Sequence, residues 1–129
     1  ISKRSYPDVD IRNLTVEQAR DIYFADWWLP LRCPEIKDDR VAQKYLDTCV
    51  NVGKSAGTKI LQKAVTAAGM MVMPDGIIGP RTLAAVNSVD PVALLAQMRY
   101  YQAEYYKYLI RRNPTLAKFE RGWMRRAQS

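Results

Sequence analysis

Apolar residues recur along the chain at intervals of three and four, the spacing of one helix face, and no segment alternates convincingly as a strand would. Residues 1–13 are polar and irregular. The run Leu14-Thr15-Val16-Glu17-Gln18 then reads as a helix start: Thr15 can cap, Gln18 can reach back from the third helical position, and Leu14 can staple onto Ala19. Apolar positions at Val16, Ala19, Ile22, Tyr23 and Trp27 carry this helix to about Trp28, and Pro30 and Pro34 bracket a loop. A second helix is predicted over 38–52, with Val41, Ala42, Tyr45, Leu46, Cys49 and Val50 as a wide apolar stripe. Asp47 and Asn51 lie on its opposite side, and Gly53 is expected to end it in a left-handed conformation. A third helix should cover 55–68, with Ile60, Leu61, Ala64, Val65 and Ala68 inward and Gly69 as its stop.

A loop with a turn at Pro74-Asp75-Gly76 follows. Three further helices share one device, a proline in the first turn: Pro80, Pro91 behind the cap Asp90, and Pro114 behind the cap Asn113. The fifth helix, over 91–112, is the longest, with Leu94, Leu95, Met98, Tyr101, Tyr105, Tyr108 and Leu109 predicted inward. The chain closes with a short basic helix containing Trp123. The pattern is that of an all-α domain of about six helices with short connections.

Composition narrows the function classes. The 129 residues suit one ordinary domain, and 48% hydrophobic with 26% charged residues permits a packed core. No window approaches the ~18–20 apolar residues of a membrane span. There is no histidine, which excludes a Ser-His-Asp triad, a Cys-His dyad and histidine-containing zinc sites within these residues. Cys33 and Cys49 cannot form a four-thiolate site and are not spaced as a redox pair; they read as two buried thiols, with a single disulfide as the alternative. No metal or cofactor is implied. A net charge of +7 favours an anionic partner such as nucleic acid, an anionic membrane surface or an acidic wall polymer. No helix-turn-helix, zinc-module or RNP pattern supports nucleic acid, so none is expected as partner.

Without histidine, carboxylates are the only general acid candidates: Glu17, Asp26, Glu35, Asp47 and Glu104. None lies in a local sequence that marks it as an acid. The tyrosines Tyr100, Tyr101, Tyr105, Tyr106 and Tyr108 read chiefly as core and half-exposed packing, with a stacking platform for sugars or bases as the minority reading. Trp27 and Trp28 cannot point the same way on a helix; one can be core, and the other is a candidate sugar platform. Lys118, Arg121, Arg125 and Arg126 form a basic end that complements a helix macrodipole.

Several stretches together resemble one family. Ile1-Ser2-Lys3-Arg4-Ser5-Tyr6 is similar to the continuation of its Tyr-Gly-Ile-Thr/Ser segment. Asp10-Ile11, Leu14-Thr15, Glu17, Ala19 and Ile22-Tyr23 follow the spacing of one of its helices, and Asp26-Trp27-Trp28-Leu29-Pro30 resembles its Asp-Tyr-Trp-x-Pro. Leu46-Asp47, Val50-Asn51 and Gly53 resemble its Phe-Asp-x-Ala-Val-Asn-x-Gly. Leu61-Gln62-Lys63-Ala64, the run Asp75-Gly76-Ile77-Ile78-Gly79-Pro80 with Thr82-Leu83, and Arg121-Gly122-Trp123 with Arg126 resemble its closing peptidoglycan-binding-like section.

The family is that of the glycoside hydrolase family 108 muramidases, lysozyme-like proteins of phage type also called secretion activators. The resemblance covers essentially the whole chain. It implies a lysozyme-like helical fold and cleavage of the N-acetylmuramic acid–N-acetylglucosamine bond of peptidoglycan. It also implies action at the periplasm or cell wall after synthesis in a bacterial or phage-infected cytoplasm. Two sections are expected: 1–53, the later part of the muramidase region, and 54–129, a peptidoglycan-binding-like section packed on it. The more weakly favoured alternative for the second section is an independent wall-anchoring module.

The family's acid is the glutamate of a Glu-Gly-Gly-Tyr motif, which these residues do not contain. The resemblance places it before Ile1, so no catalytic residue is expected within this chain and little hydrolysis is expected from it alone. Loss of the helix carrying that motif would expose apolar surface and favour self-association. The substrate groove is expected near Ser2, Lys3, Tyr6, Trp27, Trp28, Asp47 and Asn51. Asp47 and Asn51, on one helix face, either orient a sugar or the preceding helix, or make only local hydrogen bonds. A non-catalytic peptidoglycan-binding or secretion-accessory protein is the alternative function.

Overall fold

The computed structural model describes residues 15–129, except the side chain of Tyr23. Six α-helices and three shorter helical turns follow one another, with no strand among the described residues. α1 (Val16–Tyr23) opens with the anticipated capping box: Gln18 donates its N–H to the Thr15 hydroxyl at 3.1 Å, and its side-chain oxygen accepts the Thr15 N–H at 2.9 Å. The expected staple from Leu14 lies outside the described residues. The helix continues to Trp28 as expected, but its last five residues, Phe24–Trp28, form a π-helical turn. Of its predicted apolar positions, none of the described ones is fully buried, and Trp27 alone packs against the main core. Val16 is 70% exposed, and Ala19 and Ile22 are only half-buried.

α2 (Asp39–Val52) is capped by the Asp38 carboxylate, which accepts from the N–H groups of Arg40 and Val41. Gly53 both ends α2 and begins α3 (Lys54–Ala67): its N–H donates to the Cys49 carbonyl at 2.8 Å, and its own carbonyl accepts from Gly57 at 2.9 Å. Its φ of 98° is positive as expected, but its ψ of 157° is extended rather than left-handed helical, a region open essentially to glycine alone. The two helices then cross closely. A Cβ on Gly57 would lie 2.5 Å from Cys49 Sγ and 2.9 Å from Cys49 Cα, so only glycine permits this approach. Cys33 and Cys49 are free, buried thiols, and burial pushes both up to about 12.

The main core joins Leu31, Cys33 and Ile36 before α2 to Val41, Ala42, Tyr45 and Cys49 of α2 and Leu61, Ala64 and Val65 of α3. α4 (Pro80–Val86) and the start of α5 (Pro91–Arg112) add Leu83, Val86, Leu94, Leu95 and Met98. Each fully buried side chain of this size contributes about 1.5–3 kcal/mol of transfer free energy. Tyr45 is wholly buried, and its hydroxyl shares a 2.6 Å hydrogen bond with Thr58 across the α2–α3 crossing. Leu46 and Val50, predicted inward, sit at the margin; Lys44 and Thr48 are buried in their place.

A similar shift occurs along α5. Its first half buries Leu94, Leu95 and Met98 as predicted. In its second half Gln102, Ala103 and Tyr106 are buried, whereas Tyr101, Tyr105 and Leu109 are half-buried and Tyr108 is exposed. The reason is a change of partner. The early turns pack into the main core, while the later turns meet α6 (Glu120–Gln128), which follows a 3-10 helix (Pro114–Phe119) capped by Asn113. There Tyr106 stacks on Trp123 with ring centroids 4.9 Å apart.

Candidate functional site

Ser2, Lys3 and Tyr6 lie outside the described residues. Trp27 and Trp28 are both half-buried and both pack against the main core, where only one of the two was expected to do so. The wider π turn leaves both rings at the margin. Lys54, the first residue of α3, reaches over this turn: its Nζ lies 4.9 Å from the Trp27 ring centroid and donates to the Asp26 carbonyl at 2.6 Å.

Asp47 and Asn51 share one face of α2 as expected, linked by a 2.7 Å hydrogen bond from Asn51 Nδ2 to the Asp47 carbonyl. A guanidinium nitrogen of Arg126 lies 2.9 Å from Asn51 Oδ1 and 3.5 Å from Asp47 Oδ1. Residues 47, 51 and 126, singled out in separate parts of the sequence, therefore meet where α6 lies against α2.

The candidate acids are exposed or lie beside cations. Glu35 is gripped by both Arg32 nitrogens at 2.6 and 2.8 Å, which holds its carboxyl below the usual range. Asp47 faces Arg126, and Glu104 pairs with Lys107 at 3.3 Å. Glu17 and Asp26 are exposed, in the first turn of α1 and in the π turn. A general acid at neutral pH needs a carboxyl pushed upward by burial or by a second carboxylate, the opposite of what Arg32 does to Glu35. Among the described residues no group of three or more carboxylates and thiols is arranged to hold a metal ion.

The most chemically varied concavity is a cleft of about 740 Å³ between α3 and the second half of α5. From α3 come Lys54, Lys59 and Lys63; the last two are four residues apart and therefore on one face. From α5 come Tyr101, Tyr105 and Tyr108, again at helical spacing, with Glu104 and Arg111 beside them. The Tyr105 and Tyr108 rings are 6.5 Å apart, and Arg112 donates to the Tyr108 hydroxyl at 3.2 Å. Four cations face one carboxylate, which Lys107 already pairs, so the cleft is electropositive. The tyrosine stripe was visible in the sequence, but the lysines opposite it were not. Only the packing of α3 on α5 brings them together. A second groove, of about 1000 Å³, is lined largely by apolar atoms of Met70, Met71, Met73 and Ala84.

The motif Asp-Gly-x-x-Gly-Pro-x-Thr has a structural role. Its residues gather around the fully buried Gln62, whose Nε2 lies 2.9 Å from Asp75 Oδ1, 3.1 Å from the Ile77 carbonyl and 3.1 Å from Thr82 Oγ1. Gln62 Oε1 accepts the Gly76 N–H at 2.9 Å.

Residues 56–128 match the family described as Predicted Peptidoglycan domain, and residues 1–53 match Glycosyl hydrolase 108. The solved structure of Brucella abortus SagA is similar, with 28% sequence identity and a TM-score of 0.74 over 98% of this chain and 64% of that one. The chain thus spans less than two thirds of that protein's length. Among curated protein sequences, none matches.

Proposed function

This chain belongs to the predicted peptidoglycan domain family and is a glycosyl hydrolase 108, muramidase-like protein, and from that premise we propose that it recognises peptidoglycan and serves its hydrolysis at the cell wall. The observation that carries this reading is the tandem of matched segments, 1–53 and 56–128, which together take up nearly the whole chain. The electropositive cleft supports it, since peptidoglycan is an anionic polymer. The two segments also support a division into a muramidase part, 1–53, and a peptidoglycan-binding-like part, 54–129. These parts share one core: Leu31, Val41 and Tyr45 pack with Leu61, Val65, Leu94 and Met98.

The reaction proposed is cleavage between N-acetylmuramic acid and N-acetylglucosamine. A carboxylic acid protonates the glycosidic oxygen as its bond to the anomeric carbon breaks, and the oxygen leaves as a hydroxyl of the released sugar; a water oxygen then bonds to the anomeric carbon and gives up its proton to a carboxylate. The candidate carboxylates of this chain are exposed or paired with cations, so we assign these residues to gripping and placing the polymer rather than to donating the proton. Ser2, Lys3, Tyr6, Trp27 and Trp28 remain the proposed groove positions. Asp47 and Asn51 act there by fixing α6 through Arg126. The same pairing of carboxylates favours a second reading, a protein that binds peptidoglycan without cleaving it.

Incubation of the purified protein with peptidoglycan sacculi separates these readings. Cosedimentation with release of new reducing ends supports a hydrolase, and cosedimentation without release supports the binding protein. A protein that stays in the supernatant and releases nothing overturns both.

A further inference from the structure

We infer that the cleft between α3 and α5 recognises the acidic stem peptide of peptidoglycan rather than its glycan strand. This rests on the peptidoglycan reading above and assigns a ligand chemistry to one surface. The glycan is a chain of N-acetylated sugars whose muramic lactyl groups are capped as amides by the peptide. It offers hydroxyls and acetamides but little charge, and gripping it calls for acceptors as well as donors. The stem peptide instead carries several carboxylates within a few ångströms of one another.

The cleft is suited to the second. Lys59, Lys63 and Arg111 present only donors, and among the described residues none has a carboxylate within ion-pair distance. Of the cleft's own acceptors, the one carboxylate, Glu104, is paired with Lys107, and the Tyr108 hydroxyl accepts from Arg112. Tyr101 and Tyr105, both half-buried, form an apolar wall against which the aliphatic parts of a peptide can lie. Lys59 and Lys63 are exposed side chains on a well-packed helix, so the site can be altered without touching the core.

The test uses the stem tripeptide L-alanyl-γ-D-glutamyl-meso-diaminopimelate, peptide-free glycan strands prepared with an amidase, and intact sacculi. Binding is measured for the wild type, for the double reversal Lys59→Glu/Lys63→Glu, and for a control reversal Lys118→Glu/Arg121→Glu of equal charge change outside the cleft. Circular dichroism confirms that each variant is folded. The expected result is wild-type binding of the tripeptide that weakens with salt, at least a tenfold loss in the cleft variant, little loss in the control, and binding of peptide-free glycan that is weaker than that of sacculi and unchanged by the cleft reversal. If sacculi bind, but peptide-free glycan binds as well as they do or the cleft variant binds like the wild type, the stem-peptide assignment is overturned and the peptidoglycan reading stands. If the wild type binds none of the three, both are overturned.

Discussion

Two buried polar clusters hold the outer segments of this protein onto its helices, and they differ in charge. Around Gln62 the partners are neutral apart from Asp75, whose carboxylate lies at the protein's edge; the loop before α4 is bound by an uncharged amide. Around Lys44 an ammonium is buried without a carboxylate bonded to it. Its Nζ donates to Gln102 Oε1 and to the Ala127 carbonyl, both at 3.0 Å, while the Gln102 amide donates to the Tyr106 hydroxyl at 2.9 Å. The amide cluster satisfies every group at little desolvation cost. The lysine cluster spends solvation energy to tie down α6, so its contribution depends on pH and on what replaces the lysine.

The largest effect expected is at the amide. Gln62→Ala removes a wholly buried side chain and leaves the Gly76 N–H without its acceptor, which should cost about 3 kcal/mol in urea unfolding. Next is the lysine. Lys44→Ala loses a buried stem and both bonds and should cost about 2 kcal/mol, whereas Lys44→Met, which keeps the volume and removes the charge, should stay within about 1 kcal/mol of wild type. If Met is as damaging as Ala, the ammonium is a net stabiliser and the contrast between the clusters fails.

Titration sharpens the contrast further. Burial lowers the Lys44 pKa, with Asp47 opposing and Arg99 assisting. The unfolded chain therefore binds the proton more tightly, and stability should rise with pH between the folded value and the ordinary 10.5. Other groups titrate there too, so the expected signal is the wild-type stability minus that of Lys44→Met, increasing with pH; a flat difference contradicts the assignment. At the amide cluster the hydrogen bond from Gln62, then that from the Ile77 N–H, holds Asp75 below the usual carboxylate range. Its contribution is present above that range and lost as pH falls through the folded value, and Gln62→Ala should flatten this acid-side loss. The smallest effect belongs to the exposed tie. Arg126→Ala should cost less than about 1 kcal/mol and be seen mainly as faster hydrogen exchange in α6.

These clusters also mark where sequence reading succeeds and stops. Capping residues and proline starts act locally, so Thr15 with Gln18, Asp90 before Pro91 and Asn113 before Pro114 were all legible. The inward positions Leu94, Leu95 and Met98 were legible because one partner covers that face. Lys44, Thr48 and Gln102 were not, because a polar side chain is buried only when distant residues supply its bonds; Lys44 depends on residues 58 and 83 positions away. The motif around Gly76 showed as a turn, but its centre at Gln62 did not. At the candidate site the tyrosine stripe was legible, while the cations facing it required the crossing of α3 and α5.

The most direct test of the account is hydrogen exchange of the protein with and without soluble muropeptides that retain their stem peptides. Slower exchange confined chiefly to residues 54–63 and 101–111 is the predicted result. Unchanged exchange there, with protection around Met70–Met73 or nowhere, would contradict the assignment of the α3–α5 cleft to peptidoglycan recognition.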